Sequence, residues 1–384
     1  MLNRIPKPTY LLRRMRQALL PSAPRFTLEE VASVLKQYGL TLRSTPQALT
    51  GGNSANIVLE TSAGWVVLKR YIWPWPHAIT EHAMLQRAHL YHLPAPRLCL
   101  NQAGQTHTEV TGKTYAVFEF VKGWALSNFW LWPAERAQRV EQAGALLAQF
   151  HRAMLGFNPP SEKTDGFTPD GHWLVRDVHW HLDLVERFET HIRAQPQRDE
   201  LDEFFLKLAA PLKQQLTQVA KVYTLPARQM PRSAIHADFA PKNVLFNGSG
   251  VAAILDFGDA CVNLRALDVG RALATFASRA TSEIDLHLST RFLKAYLAHN
   301  SLTETEVAHL PSVMRWRQLR NIVWMIDRLW NQPARTQREE LLAFVAARWE
   351  ENEWLKSHGD RLVAHWLTQP RLGLIDQEVV WRPN

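Results

Sequence analysis

A chain of 384 residues is long enough for two lobes or domains, and with 46% hydrophobic and 21% charged residues it can bury ordinary cores. The formal net charge of +8 suits an anionic partner such as a nucleotide, but the excess is modest and spread along the chain, which argues against a nucleic-acid-binding surface. Two isolated cysteines, Cys99 and Cys261, make neither a zinc spacing nor a disulfide framework, and no apolar run approaches the roughly 20 residues that span a bilayer.

Residues 1–25 carry Arg4, Lys7, Arg13, Arg14, Arg16 and Arg25 among Leu11, Leu12, Leu19 and Leu20, with no acidic residue before Glu29. This arm reads as a solvated helix packed on the first lobe, with a basic amphipathic contact with a membrane surface or a targeting segment as the alternatives. Phe26 to Tyr38 reads as a helix that Thr27 can cap, with Glu29 and Glu30 in its first turn and Gly39 at its end. A glycine-bearing turn, Gly51-Gly52-Asn53-Ser54, leads into a strand at Ile57 to Thr61. Ala63-Gly64 turns the chain back into a second strand, Trp65 to Tyr71. Such a turn lets backbone N–H groups approach phosphates with no side chain in the way. Lys69 shares a strand face with Val67 and Trp65, and a lysine in an apolar strand needs an acid or an anion beside it. Glu81, in the helix expected over Ala78 to His92, is either that acid or an exposed first-turn residue. Leu93-Pro94-Ala95-Pro96 ends the helix, and Thr114 to Phe120 is a further strand running into Val121-Lys122-Gly123.

From about Trp124 the pattern turns helical. Val140, Ala143, Leu146, Leu147, Phe150 and Met154 make one stripe between Glu135 and Met154, with His151 as a packed helix-end residue. Asn158 to His172 reads as a loop, and Leu182 to Ile192 and Leu201 to Val222 as helices. His172, His179, His181 and His191 are scattered among tryptophans and make no convincing metal site.

The densest chemistry lies in Ala234 to Ala260. His236, Asp238 and Asn243 precede a hairpin of Val244 to Phe246 and Val251 to Leu255, turned by Asn247-Gly248-Ser249-Gly250. The hairpin returns Asn243 and Asp256 to the same end, where an amide oxygen and a carboxylate make hard ligands for magnesium. Asp238 would face the same cavity, leaving one carboxylate to orient a hydroxyl while two ligands hold the metal on a nucleotide phosphate. Asp268-Val269 opens a helix expected through Ala277. Beyond it, Val313, Trp316, Leu319, Val323, Ile326 and Leu329 follow helical spacing on a segment that also carries Arg317, Arg320, Asn321 and Arg328.

The order His236-Ala237-Asp238, four residues, Asn243, and then Leu255-Asp256-Phe257-Gly258 resembles the catalytic and metal loops of the protein-kinase-like superfamily. It is most similar to the small-molecule branch, the aminoglycoside phosphotransferase and homoserine kinase family, over roughly Phe26 to Trp330. The resemblance implies an α+β, bilobal protein-kinase-like fold, with a small antiparallel β-sheet N-lobe and a mostly helical C-lobe. The expected division is a basic arm (1–25), an N-lobe (26–121), a C-lobe (122–330) and a helical extension (331–384). It implies a cytoplasmic, ATP-dependent phosphotransferase for a small-molecule hydroxyl, using ATP and Mg2+. Carried over residue by residue, Asp238 is the catalytic base, and Asn243 and Asp256 are the metal ligands. Lys69 contacts the α- and β-phosphates and is held by Glu81, while Gly51, Gly52, Asn53 and Ser54 cover them. Val67 closes one face of the adenine, whose edge is read by the Glu119 C=O and the Val121 N–H. His236 and Asp268 are structural, Asp268 capping its own helix and bonding the catalytic loop. Substrate pockets in this branch lie between the catalytic loop and the C-terminal helices, which makes Asn321, Trp324 and Asp327 candidates for substrate contacts. Homoserine, another amino alcohol, a choline-like amine, a sugar or an aminoglycoside would each fit, and the order of the C-terminal segments tilts towards homoserine kinase. Val262-Asn263-Leu264-Arg265 departs from the Gly-Asp-Pro of many aminoglycoside-type relatives. A protein kinase is the alternative within the fold, opposed by Ala240 where those enzymes carry lysine. A nucleotide-binding regulator without transfer is the alternative outside enzymes.

Overall fold

In the computed structural model, which describes residues 26–48, 55–71, 75–126, 132–160, 178–221, 230–248, 250–278, 283–330 and 335–369, the first element is a capped helix. The Thr27 hydroxyl accepts from the Glu30 N–H while the Glu30 carboxylate accepts from the Thr27 N–H, a capping box that satisfies two free donors of α1 (Leu28–Gln37). Gly39 follows the helix at φ +68°, where a side chain would be strained. The basic arm and the Gly51–Ser54 turn lie outside the described residues.

β1 (Gln47–Ala48), β2 (Ala55–Thr61), β3 (Gly64–Arg70), β4 (Thr108–Val110) and β5 (Lys113–Glu119) form an antiparallel sheet in the order β1-β2-β3-β5-β4. Strand alternation divides its residues between two cores. Ile57, Leu59, Val66, Leu68, Tyr115 and Val117 meet Val31, Val34 and Leu35 of α1. Ala116 and Phe118 take the other face with α2 (Trp75–Leu90), whose Met84, Leu85 and Ala88 belong to the core continuous with the second lobe. Lys69 lies on that second face, opposite Ala116.

The chain enters the second lobe through residues 120–123 and β6 (Trp124–Ala125). At Gly123 an added Cβ would stand 2.9 Å from the Phe246 carbonyl oxygen, so this crossing needs glycine. The second lobe is mostly helical: α3 (Pro133–Ala153), α4 (Val178–Ala194), α5 (Glu200–Ala220), α6 (Arg265–Phe276), α7 (Leu286–Leu297), α8 (Glu304–Trp330) and α9 (Arg335–Leu367). α3 and α7 press together at Gly144, where a Cβ would meet the Phe292 carbonyl oxygen at 2.4 Å. Short strands sit among the helices. β6 pairs β8 (Val244–Asn247), which pairs β9 (Gly250–Ile254); β7 (Arg232–Ile235) pairs β10 (Cys261–Leu264).

Helix α6 starts at Arg265, three residues earlier than expected, and Leu264 occupies its cap without a side-chain hydrogen bond. Asp268 therefore does not cap its own helix, because its carboxylate is committed elsewhere. The helix after residue 334 packs on both cores: Leu341 and Val345 join the core of α4, α5 and α8, and Leu355, Leu362 and Trp366 join the main core. Among the described residues no helix is long and apolar enough to cross a membrane.

Candidate active site

The β8–β9 hairpin does the positioning. The Leu255 N–H donates to the Asn243 carbonyl at 2.8 Å, and Val244 faces Ile254 in the ladder. Asp256 therefore emerges one residue past the point where the strands meet, beside Asn243. Its backbone is left-handed (φ 62°, ψ 68°), a conformation that aspartate tolerates better than most residues. Its side chain keeps 42% exposure and lies 4.0 Å from Lys69 Nζ.

Lys69 is fixed by Glu81, whose two oxygens accept from Nζ at 2.7 and 2.9 Å. Both residues are buried, which resolves Glu81 as the partner of the strand lysine rather than an exposed helix acid. Burial pulls the Lys69 pKa down, but Glu81 and then Asp256 overcome it and leave it raised. Behind the pair, Tyr71 bonds His82 at 2.8 Å, and His82 bonds Thr106 at 2.8 Å. Burial, helped by Lys69, holds His82 down at about 3, so it stays neutral.

The loop bearing Asp238 is shaped by Asp268. One Asp268 oxygen accepts the His236 N–H at 2.6 Å and the other the Ala237 N–H at 2.7 Å. These bonds hold Ala237 at φ +64°, a strained left-handed conformation for alanine. Asp268 is itself fully buried and lies 3.3 Å from His151, which also bonds the Tyr296 hydroxyl at 2.7 Å. His236 donates from Nε2 to the Leu255 carbonyl at 2.9 Å, and its Nδ1 accepts the Asp238 N–H at 3.3 Å. The loop and the hairpin are thereby tied to each other.

Asp238 is 7% exposed and crowded by donors. Oδ2 accepts from Asn243 Nδ2 at 3.0 Å and lies 2.6 Å from Lys242 Nζ. Oδ1 accepts from Arg271 at 3.0 and 3.2 Å and from Arg317 at 3.1 Å. Burial raises the carboxyl pKa, but Arg271, Lys242 and Arg317 overcome it and hold the group well below the ordinary carboxylate range. Asn243 spends Nδ2 on Asp238 and on the Asp238 carbonyl at 2.9 Å, which turns its oxygen away from Asp238. That amide oxygen and the Asp256 carboxylate are the hard donors a magnesium ion takes. The residues present therefore fit the metal.

At the junction of the lobes, half-buried Val67 faces Phe118 across β3 and β5, Glu119 ends β5, and Val121 lies in the connection to β6. Asn321 and Trp324 lie four and seven residues beyond Arg317 on α8, along the helix face that reaches Asp238. Both are half-buried, and Trp324 packs on the core of α4, α5 and α8. Asp327 is turned further round the helix. A groove of about 640 Å³ between α4 and α5, lined by residues such as Asp183, Glu186, Lys213 and Lys221, shares no side chain with this site.

Arg271, Arg317 and Lys242 have no assigned part in the sequence reading. Their signal was present: arginines recurring through an otherwise apolar helix must find anions once buried. The facing of α6 and α8 towards the loop is a tertiary fact.

Residues 45–310 match the model of the phosphotransferase enzyme family. The chain is 24% identical over 318 residues to a homoserine kinase of Zymomonas mobilis, covering 79% of this chain and 86% of that one. In structure it is similar to an aminoglycoside phosphotransferase from Alicyclobacillus acidocaldarius, at 19% identity and a TM-score of 0.61, covering 89% of this chain and 98% of that one. It is also similar to a spectinomycin phosphotransferase in complex with ADP and spectinomycin, at 14% identity and a TM-score of 0.61, with the same coverage.

Proposed function

This chain belongs to the phosphotransferase enzyme family and is an ATP-dependent phosphotransferase of a small-molecule hydroxyl; on that premise we propose that Asp238 is its proton acceptor and a small amino alcohol, homoserine first, its substrate. The supporting observation is that Asp238 bonds Asn243, the hairpin sets Asp256 beside Asn243, and Asp256 stands 4.0 Å from the ammonium of the Lys69–Glu81 pair.

Asp238 accepts a hydrogen bond from the substrate hydroxyl and so aims a lone pair of the hydroxyl oxygen at the γ-phosphorus. The new bond forms between that oxygen and phosphorus as the bond to the bridging oxygen breaks. ADP leaves with the electron pair, and the hydroxyl proton passes to Asp238 late in transfer, as suits a carboxylate held so acidic. Asn243 and Asp256 would hold magnesium, which would supply positive charge beside the phosphates of ATP. Lys69, oriented by Glu81, holds the α- and β-phosphates. Val67 packs on the adenine, whose edge meets the Glu119 C=O and the Val121 N–H. Asn321 and Trp324 extend the substrate wall along the α8 face that carries Arg317. The reducing cytoplasm is the location that two isolated thiols, one half-buried and one buried, suit.

The test is a coupled ATP-consumption assay with magnesium over amino alcohols, choline-like amines, sugars and aminoglycosides. A product that forms with wild type and vanishes with Asp238→Ala supports the assignment. Magnesium-ATP binding without transfer to any acceptor would favour a regulator of the same fold.

A further inference from the structure

Of Lys69, Lys242, Arg271 and Arg317, only Lys242 is exposed. Its side chain keeps 41% exposure, against 7% for Lys69, 13% for Arg271 and 10% for Arg317. It stands on a single 3-10 turn, Pro241–Asn243, which Pro241 opens and which the Asn243 N–H closes on the Ala240 carbonyl at 2.8 Å. From there it reaches back four residues to Asp238, its one ion partner among the described residues, at 2.6 Å. An ammonium carries three donors, so this contact uses only part of what Lys242 offers.

The oxygen it meets places the ammonium. Asn243 Nδ2 and Lys242 Nζ share Oδ2 of Asp238, at 3.0 and 2.6 Å, while Arg271 and Arg317 meet Oδ1. The ammonium therefore stands on the Asn243 side of the carboxylate, and the hairpin sets Asp256 beside Asn243. A hydroxyl bonded to Oδ2 at about 2.7 Å comes within about 5.3 Å of Nζ, and the phosphorus it attacks is held near Asn243 and Asp256. The flexible four-carbon stem of a lysine covers that gap by rotation about its own bonds. Asn243, Arg271 and Arg317 go on serving the carboxylate when the ammonium leaves it.

We propose that Lys242 is a further catalytic residue, which exchanges Asp238 for the γ-phosphate as the acceptor hydroxyl takes its place on Oδ2. The proposal rests on the reading of Asp238 as proton acceptor. The bond from the hydroxyl oxygen to phosphorus forms as the bond to the bridging oxygen breaks, ADP leaves with the electron pair, and the hydroxyl proton goes to Asp238. Lys242 keeps all of its own protons and donates to the equatorial oxygens of the group in transfer. Negative charge is spread over those oxygens in the transition state, and a donor already in place stabilises it without rearrangement of the site. Two lysines then divide the triphosphate, Lys69 at the α- and β-phosphates and Lys242 at the γ-phosphate.

The experiment compares two nucleotides that differ by the γ-phosphate. Full-length wild type, Lys242→Gln and Lys242→Arg are titrated calorimetrically with ADP and with AMP-PNP, each with magnesium, and assayed for transfer from ATP to the best acceptor. Lys242→Gln should weaken AMP-PNP about tenfold, the size of one charge-assisted contact, while ADP binds as before. The unchanged ADP affinity also shows that the variant is folded. Its kcat should fall about a hundredfold, as on loss of one donor to a developing charge, with the KM for the acceptor unchanged. Lys242→Arg, which keeps the charge and the reach, should recover most of the preference for AMP-PNP and part of kcat. A lysine that only braces the loop would lower kcat without changing the ratio of the two nucleotide affinities, and that result overturns the proposal. Equal weakening of ADP and AMP-PNP, a rise in KM confined to the acceptor, or a kcat within about threefold of wild type overturns it as well. Asp238→Ala reads the underlying assignment separately. Activity surviving there removes the proton acceptor, whereas the nucleotide comparison in Lys242→Gln decides the lysine contact in either case.

Discussion

Lys69 and Asp238 are both buried charges in the same cleft, yet one is matched and the other outnumbered. Lys69 has both oxygens of Glu81 at 2.7 and 2.9 Å, with Asp256 farther off. Asp238 has Lys242, Arg271 and Arg317 around a single carboxylate. A matched pair is complete without a ligand and serves to hold one ammonium in place. The three cations hold that carboxylate ionised. The first cluster fixes an ammonium, and the second fixes a carboxylate.

The sharpest way to break this contrast is at its centre. Asp238→Ala should lower kcat by at least about a hundredfold, the least that a positioned base contributes, while ATP still binds. Steady-state kinetics beside a nucleotide titration reads both halves. Lys69→Met strikes the matched side. It strands Glu81 in a dry site, and breaking such a pair costs about 3–5 kcal/mol, read as a fall in the denaturant midpoint. Adding Glu81→Leu should return most of that stability and none of the activity. If the double variant stays as unstable as the single one, the pair is not the self-contained unit described here.

Asp268→Ala tests the support beneath the outnumbered cluster. It orphans two buried N–H groups, each worth about 1–3 kcal/mol, and frees Ala237 to leave its strained conformation. Stability and kcat should fall together. The matched side also carries a pH signature. His82 is held at about 3 by burial and then Lys69, against the 6.5 of an ordinary histidine. Between those values the unfolded chain binds a proton that the folded chain refuses, so the contribution is complete above about pH 6.5 and shrinks as pH falls towards 3. His82→Gln should flatten that part of the stability profile. Farthest from both clusters, Thr27→Ala removes one half of the capping box and should cost only about 1 kcal/mol, with activity untouched.

The local pattern carried much of this into the sequence. Thr27 with Glu30 and Gly39 bounds the first helix, and the alternation around Lys69 separates its face from that of Leu68. The turn after Asn247 makes the hairpin that brings Asp256 to Asn243, so the closeness of these two residues was legible as well. Each of these depends on residues close in the chain or on a period of two. Asp268 was read with the right partner but the wrong cap, because helix α6 could begin at Arg265 on weak local signals alone. Arg271 and Arg317 reach Asp238 from 33 and 79 residues away, and no periodicity says which face of a distant helix meets a loop. Glu81 shows the same limit at shorter range: helix register left it ambiguous, and packing against β3 settled it.

The most direct test of the account is rapid-quench measurement of phosphoryl transfer from ATP to the best acceptor by wild type and Asp238→Ala, with nucleotide affinity measured on the same samples. Wild type should yield phosphorylated acceptor and ADP in equal amounts, and the variant a rate at least about a hundredfold lower at unchanged ATP affinity. A variant that keeps more than about one percent of the rate would contradict it, since the carboxylate among its three cations would then not be the group that takes the proton.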